Sequence, residues 1–173
     1  MSETPDPGAE GRILVLGAGN LLLSDDGVGI HAIRRLAELA DLPEEVQVLD
    51  GGTLGLDLLY YLEGVSRLLI VDAVKAGRPP GTLSRLAGEE VPAYFSTKIS
   101  PHQIALPDLL LAARLRDLYP QEVVVLGLEP ASLAVGLELS PDVAAGLDTL
   151  VEAVLDQLVR WGVDVRRRGD ADA

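Results

Sequence analysis

Four short apolar runs constrain the fold of this chain more than any other feature: RILVLG (12–17), VQVLD (46–50), RLLIVDA (67–73) and EVVVLGL (122–128). Runs this short and this apolar suit strands buried on both faces of a parallel sheet. Parallel neighbours need long crossover connections, and the intervals between the runs carry helical periodicity. Over 28–40, Val28, Ala32, Ile33, Leu36, Ala37 and Ala40 share one face, while His31, Arg34, Arg35 and Glu38 share the other. A second helix is expected over 54–64, stopped by Gly64, and a third over 103–118 with Pro107 in its first turn. The last begins with Ser140 as N-cap and Pro141 at the first helical position. Its stripe of Val143, Ala144, Leu147, Leu150, Val151, Val154, Leu155, Leu158 and Trp161 belongs to the core. The less apolar GTLSRL (81–86) reads as an edge strand, possibly antiparallel. The expectation is an α/β protein with one domain over 12–163. A disordered lead-in over 1–11 and a flexible tail over 164–173, with three solvated arginines, flank it.

Charge narrows the function. The chain carries 27 acids against 14 bases, a net charge of −13, which opposes nucleic-acid phosphates and anionic membranes. It has no cysteine, so disulfides, thiolate metal sites and thiol nucleophiles are excluded. No apolar run approaches the ~20 residues of a membrane span. The start MSETPDPGAEG lacks a signal-peptide pattern. A monomer in the cytoplasm is the expectation.

Three strands lead into acids: Asp25 and Asp26 after the first, Asp50 closing the second, Asp72 closing the third. In a parallel sheet the carboxyl ends lie along one edge, where open α/β folds hold their ligands. Carboxylates gathered there repel one another unless a cation joins them. Of the two histidines, His31 falls on the polar face of its helix and reads as surface. His102 sits in KISPHQIALPD, just before a helix, where the helix dipole disfavours imidazolium and keeps the metal-binding neutral ring. Asp26, Asp72 and His102 together offer two carboxylates and an imidazole, a set open to Ni, Zn or Mn. Asp25 is read as the cap of the helix starting near Val28, and Asp50 as either a supporting residue or a helix cap.

Other chemistries fit less well. GAGNLLLSDDGVG (17–29) starts like a dinucleotide loop, but Leu22 replaces the third glycine and two aspartates oppose a pyrophosphate. Its GAGN turn is also similar to that of peptidyl-tRNA hydrolases, whose following proline-glycine and histidine are missing here. Neither an H-E-x-x-H nor a G-x-S-x-G motif is present.

The motifs ILVLGAGNLLLSDDGVG, LDGGTLG, IVDA, PGT, EEVPAYFSTKISPHQ and GLEPASLAVGLELSP, in this order and spacing, resemble those of the maturation endopeptidases of [NiFe] hydrogenases. The resemblance runs from Arg12 to about Trp161, and KISPHQ points to the branch serving uptake hydrogenases. It implies a three-layer α/β/α fold with a mostly parallel, twisted sheet of about five strands. It also implies removal of a C-terminal extension from a hydrogenase large-subunit precursor after nickel insertion. Asp26, Asp72 and His102 match the family's metal-contacting positions, as both nickel reader and catalytic site. Nickel is then expected in the substrate and need not be bound permanently. Two rival readings are a non-cleaving nickel checkpoint or chaperone, and a metallopeptidase with its own metal.

Overall fold

Burial on both faces turns the first apolar run into β1 (Arg12–Gly17), whose Leu14, Val15 and Leu16 are shut off from solvent in the computed structural model. The structure describes residues 11–52, 55–96 and 105–169. The other three runs become β3 (Val46–Asp50), β4 (Val65–Ala73) and β6 (Glu122–Leu128), after a two-residue β2 (Ala40–Asp41). The weaker segment becomes β5 (Leu83–Ala87), which pairs antiparallel with β6 at the sheet edge. Strand order in the five-stranded sheet is β3-β1-β4-β6-β5, with the other pairs parallel.

Helices α1 (Val28–Leu39) and α5 (Pro141–Arg160) cover one face. Their Val28, Ile33, Leu36, Leu150, Val154 and Leu158 meet Ile13, Val15, Leu69, Val71 and Leu126. The opposite face holds α2 (Leu59–Leu62), α3 (Glu90–Ser96) and α4 (Ala105–Leu115). Their Leu62, Phe95, Leu109 and Ala113 meet Leu14, Leu16, Leu68 and Ile70. Neighbouring residues of one strand thus serve different cores, which is why the runs lack polar alternation. This is the expected three-layer arrangement.

Some elements differ from their sequence reading. The second helix is shorter: a 3-10 turn (Gly55–Leu58) leads into α2, and Gly64 follows at φ 75°. Helix α3 was not foreseen. Ala37 and Ala144 are exposed, small enough to sit at the margins of their apolar stripes. The expected tail is corrected as far as residue 169. Arg166 and Arg167 form β7, antiparallel to β2, and Arg167 and Arg168 pair with Glu152 and Asp41. Opposite charges on α5 and β2 hold those arginines against the domain.

Helix α1 approaches the sheet tightly at Gly29. A Cβ there would lie 2.0 Å from the Val71 carbonyl oxygen and 2.6 Å from that of Ala18. Neither backbone atom has room to yield. Gly29→Ala is therefore expected to destabilise the fold by about 1–3 kcal/mol, read as a lower midpoint in thermal unfolding.

Candidate active site

The strand order decides where a crevice opens. From β1 the chain moves outward to β3, and from β4 it moves the other way, toward β6 and β5. Adjacent strands whose connections diverge leave a crevice at their carboxyl ends. Asp26 follows β1 and Asp72 lies near the end of β4, so the crevice between them is bordered by both. Both side chains are buried.

Gly19 brings them together. Its φ is 110°, and a Cβ on it would lie 1.8 Å from the Asp26 carbonyl oxygen and 3.3 Å from Asp72 Oδ1. Only a glycine can take that backbone conformation so near both aspartates. The Asn20 amide donates to Asp26 Oδ2 at 2.9 Å, and Asn20 Oδ1 accepts from the Leu22 amide at 2.9 Å. Asp72 Oδ1 accepts from the Ala73 amide at 2.8 Å. Asp26 and Asp72, 46 positions apart in the sequence, both approach this one glycine, Asp26 through its backbone carbonyl and Asp72 through its carboxylate. His102, the third expected member, lies outside the described residues. Among the described residues no group of three His, Asp or Glu side chains is arranged to hold a metal ion.

Asp25 does not cap α1. That helix is entered through Gly27 without a side-chain cap, while Asp25 turns to a loop more than a hundred residues away. Its Oδ2 accepts from the Ala131 and Ser132 amides at 2.9 and 3.0 Å and from the Ser140 hydroxyl at 2.8 Å. Its Oδ1 accepts from the Ser140 amide at 2.7 Å. Burial alone would raise this carboxyl, but the donors of Ser140, Ser132 and Ala131 outweigh it and hold the pKa below the usual value. Ser140 is likewise no side-chain cap for α5, because its hydroxyl is given to Asp25. Backbone pairing completes the junction: Ser24 N donates to Gly136 O, and Gly136 N to Leu22 O, both at 2.9 Å.

Glu129, just past β6, does similar work on the other side of the crevice. It is buried, and its two oxygens accept from the Ala76 and Gly77 amides at 2.7 and 3.2 Å. Glu129 was missed in the sequence, though it continues the pattern of strands leading into acids. Asp50 is exposed and accepts from the Gly52 amide at 3.1 Å, so it shapes its own turn and caps no helix. His31 is less exposed than its helical position suggests. Its Nε2 is buried, and burial, then the charge of Arg34, lowers its pKa.

Comparisons with known proteins bear on the family and the fold. The hydrogenase maturation protease family model matches residues 30–157. The hydrogenase 2 maturation protease of Escherichia coli is 42% identical over 154 residues, covering 88% of this chain and 94% of that protein. The hydrogenase expression/formation protein HupD of Rhodobacter capsulatus is 39% identical over 158 residues, 90% of this chain and 75% of its own. The solved structure of the E. coli hydrogenase maturating endopeptidase HybD superposes with a TM-score of 0.87 at 41% identity, covering 92% of this chain and 99% of that one. With both the motifs and the fold in common over nearly its whole length, the chain belongs to the hydrogenase maturation protease family.

Proposed function

We propose that this protein removes the C-terminal extension of a [NiFe] hydrogenase large-subunit precursor, of the uptake type, once nickel has been inserted. The observation that carries the reading is the placement of two buried aspartates, Asp26 after β1 and Asp72 near the end of β4, on either side of Gly19 in a chain of this family. His102 supplies the third donor. The nickel belongs to the substrate and arrives with it.

The donor chemistry suits a reader of metal. Two carboxylates and an imidazole make a hard to borderline set, which does not strip nickel from thiolates but fills its open positions. Docking of the metal then sets the scissile peptide beside the crevice. Nickel in the substrate polarises a carbonyl or activates water there, or one of the aspartates acts as general base. Among the described residues no helix is long and apolar enough to cross a membrane. The reading assigns the protein to the cytoplasm, as a monomer.

The test uses nickel-loaded and nickel-free preparations of the cognate precursor, each incubated with the protein and read by intact-mass spectrometry. Loss of the tail only from the nickel-loaded form is the expected result. Cleavage of both forms would replace the nickel reader with a protease that carries its own catalytic means. Stable binding without cleavage would make the protein a checkpoint or chaperone.

A further inference from the structure

The junction organised by Asp25 also presents a surface. Leu23 and Gly136 form an isolated parallel bridge, which brings the backbone at Leu22 beside that at Val135 and Leu137. All three are large, apolar and open to solvent: Leu22 is 60%, Val135 88% and Leu137 68% exposed. The backbone beneath them is tied by the Ser24–Gly136 and Gly136–Leu22 hydrogen bonds and by the Ser24 hydroxyl, which donates to Ala134 O at 2.7 Å. A clustered apolar face on an anchored support marks a contact surface.

Resting on the function proposed above, we infer that this face receives an apolar stretch of the substrate polypeptide close to the bond that is cut. The argument is continuity with the crevice. Leu22 is four residues from Asp26, so their Cα atoms are at most ~14 Å apart. A polypeptide drawn to Asp26 and Asp72 passes beside Leu22, and its apolar side chains within about four residues of the cut bond come within reach of the face. The rival occupant is a second copy of this chain, which a net charge of −13 on each molecule opposes.

The test is the double variant Val135→Asp/Leu137→Asp, with Leu115→Asp as control. Leu115 is 78% exposed at the end of α4, on the side where β6 begins, away from the crevice. In steady-state processing of nickel-loaded precursor, the double variant is expected to raise KM about tenfold or more while kcat changes less than about threefold. The control is expected to keep both constants near wild type. Replacing the precursor's apolar residues near the cut by Asp is expected to raise KM similarly. An unchanged KM in the double variant overturns the docking face and leaves the function standing. Failure of the wild type to cleave or bind precursor removes the function and the docking face together. A dimer in sedimentation equilibrium that the double variant dissolves, with KM unmoved, reassigns the face to self-association. Should the double variant melt well below wild type, Val135→Ser/Leu137→Ser makes the same comparison without added charge.

Discussion

Asp25→Ala is expected to unfold about 10 °C below the wild type. The substitution leaves three backbone amides and one hydroxyl, from Ala131, Ser132 and Ser140, facing a site with no acceptor. A hydrogen bond to a charged acceptor contributes about 1.5–3 kcal/mol; these four are part-buried and their losses overlap, so the total is about 3–5 kcal/mol. In a chain of this size one kcal/mol moves the midpoint by roughly 2–4 °C. Asp25→Asn keeps one acceptor oxygen and is expected to fall between the two. Hydrogen exchange should quicken first at Ala131, Ser132 and Ser140, because those amides lose their acceptor directly. A midpoint within about 2 °C of wild type would mean the loop is held by other contacts.

The same carboxylate sets a pH response with a definite sign. The folded pKa of Asp25 is lowered, so its contribution is full above the unfolded value and is lost as pH falls through the folded one. Wild type should therefore shed this stability below about pH 4, whereas Asp25→Asn has none of it to lose there. The gap between their unfolding midpoints should narrow as the solution is acidified through that window.

Asp72→Asn and Asp26→Asn, singly, are expected to lower processing of nickel-loaded precursor by about 10²-fold or more. Asn keeps the shape of Asp, and the packing around Gly19 leaves little room for any larger change. On the function proposed above, Asn removes the charge offered to the substrate's nickel and the basicity needed to accept a proton. Thermal midpoints near wild type are expected, so the loss of activity cannot be assigned to unfolding. His102→Ala should behave in the same way. Full activity in any one of the three variants would take that residue out of the site.

Much of this was legible in the chain because burial on two faces leaves a strong mark. RILVLG and EVVVLGL could only be inner strands, and the weaker polarity pattern of 81–86 distinguished the antiparallel edge. That Asp26 and Asp72 border one crevice was legible from parallel topology, because the segment after β1 and the end of β4 lie on the same edge of the sheet. Asp25 was misread because a local explanation, the helix starting three residues ahead, was at hand. Its actual partners lie 106 to 115 positions away, a separation at which sequence spacing carries no information. Ser140 does hold the N-cap position before Pro141, as read, but its hydroxyl reaches Asp25 and makes no side-chain cap. Arg167 and Arg168 looked like a solvated run because the acids they meet, Glu152 and Asp41, sit on elements that only the fold brings alongside. In each case a polar group was satisfied at long range where a local partner was on offer.

The small β2–β7 clasp has a practical side. Residues 40–41 follow α1 and precede β3, so the clasp sits by the ends where the strands of the large sheet begin, opposite the crevice. The chain is followed out to Gly169 on that same side. A tether or fluorescent reporter joined just past the clasp would leave the crevice facing away from its attachment point. Molecules fixed to a surface in this way would share one orientation, with the cutting edge open to a large incoming precursor.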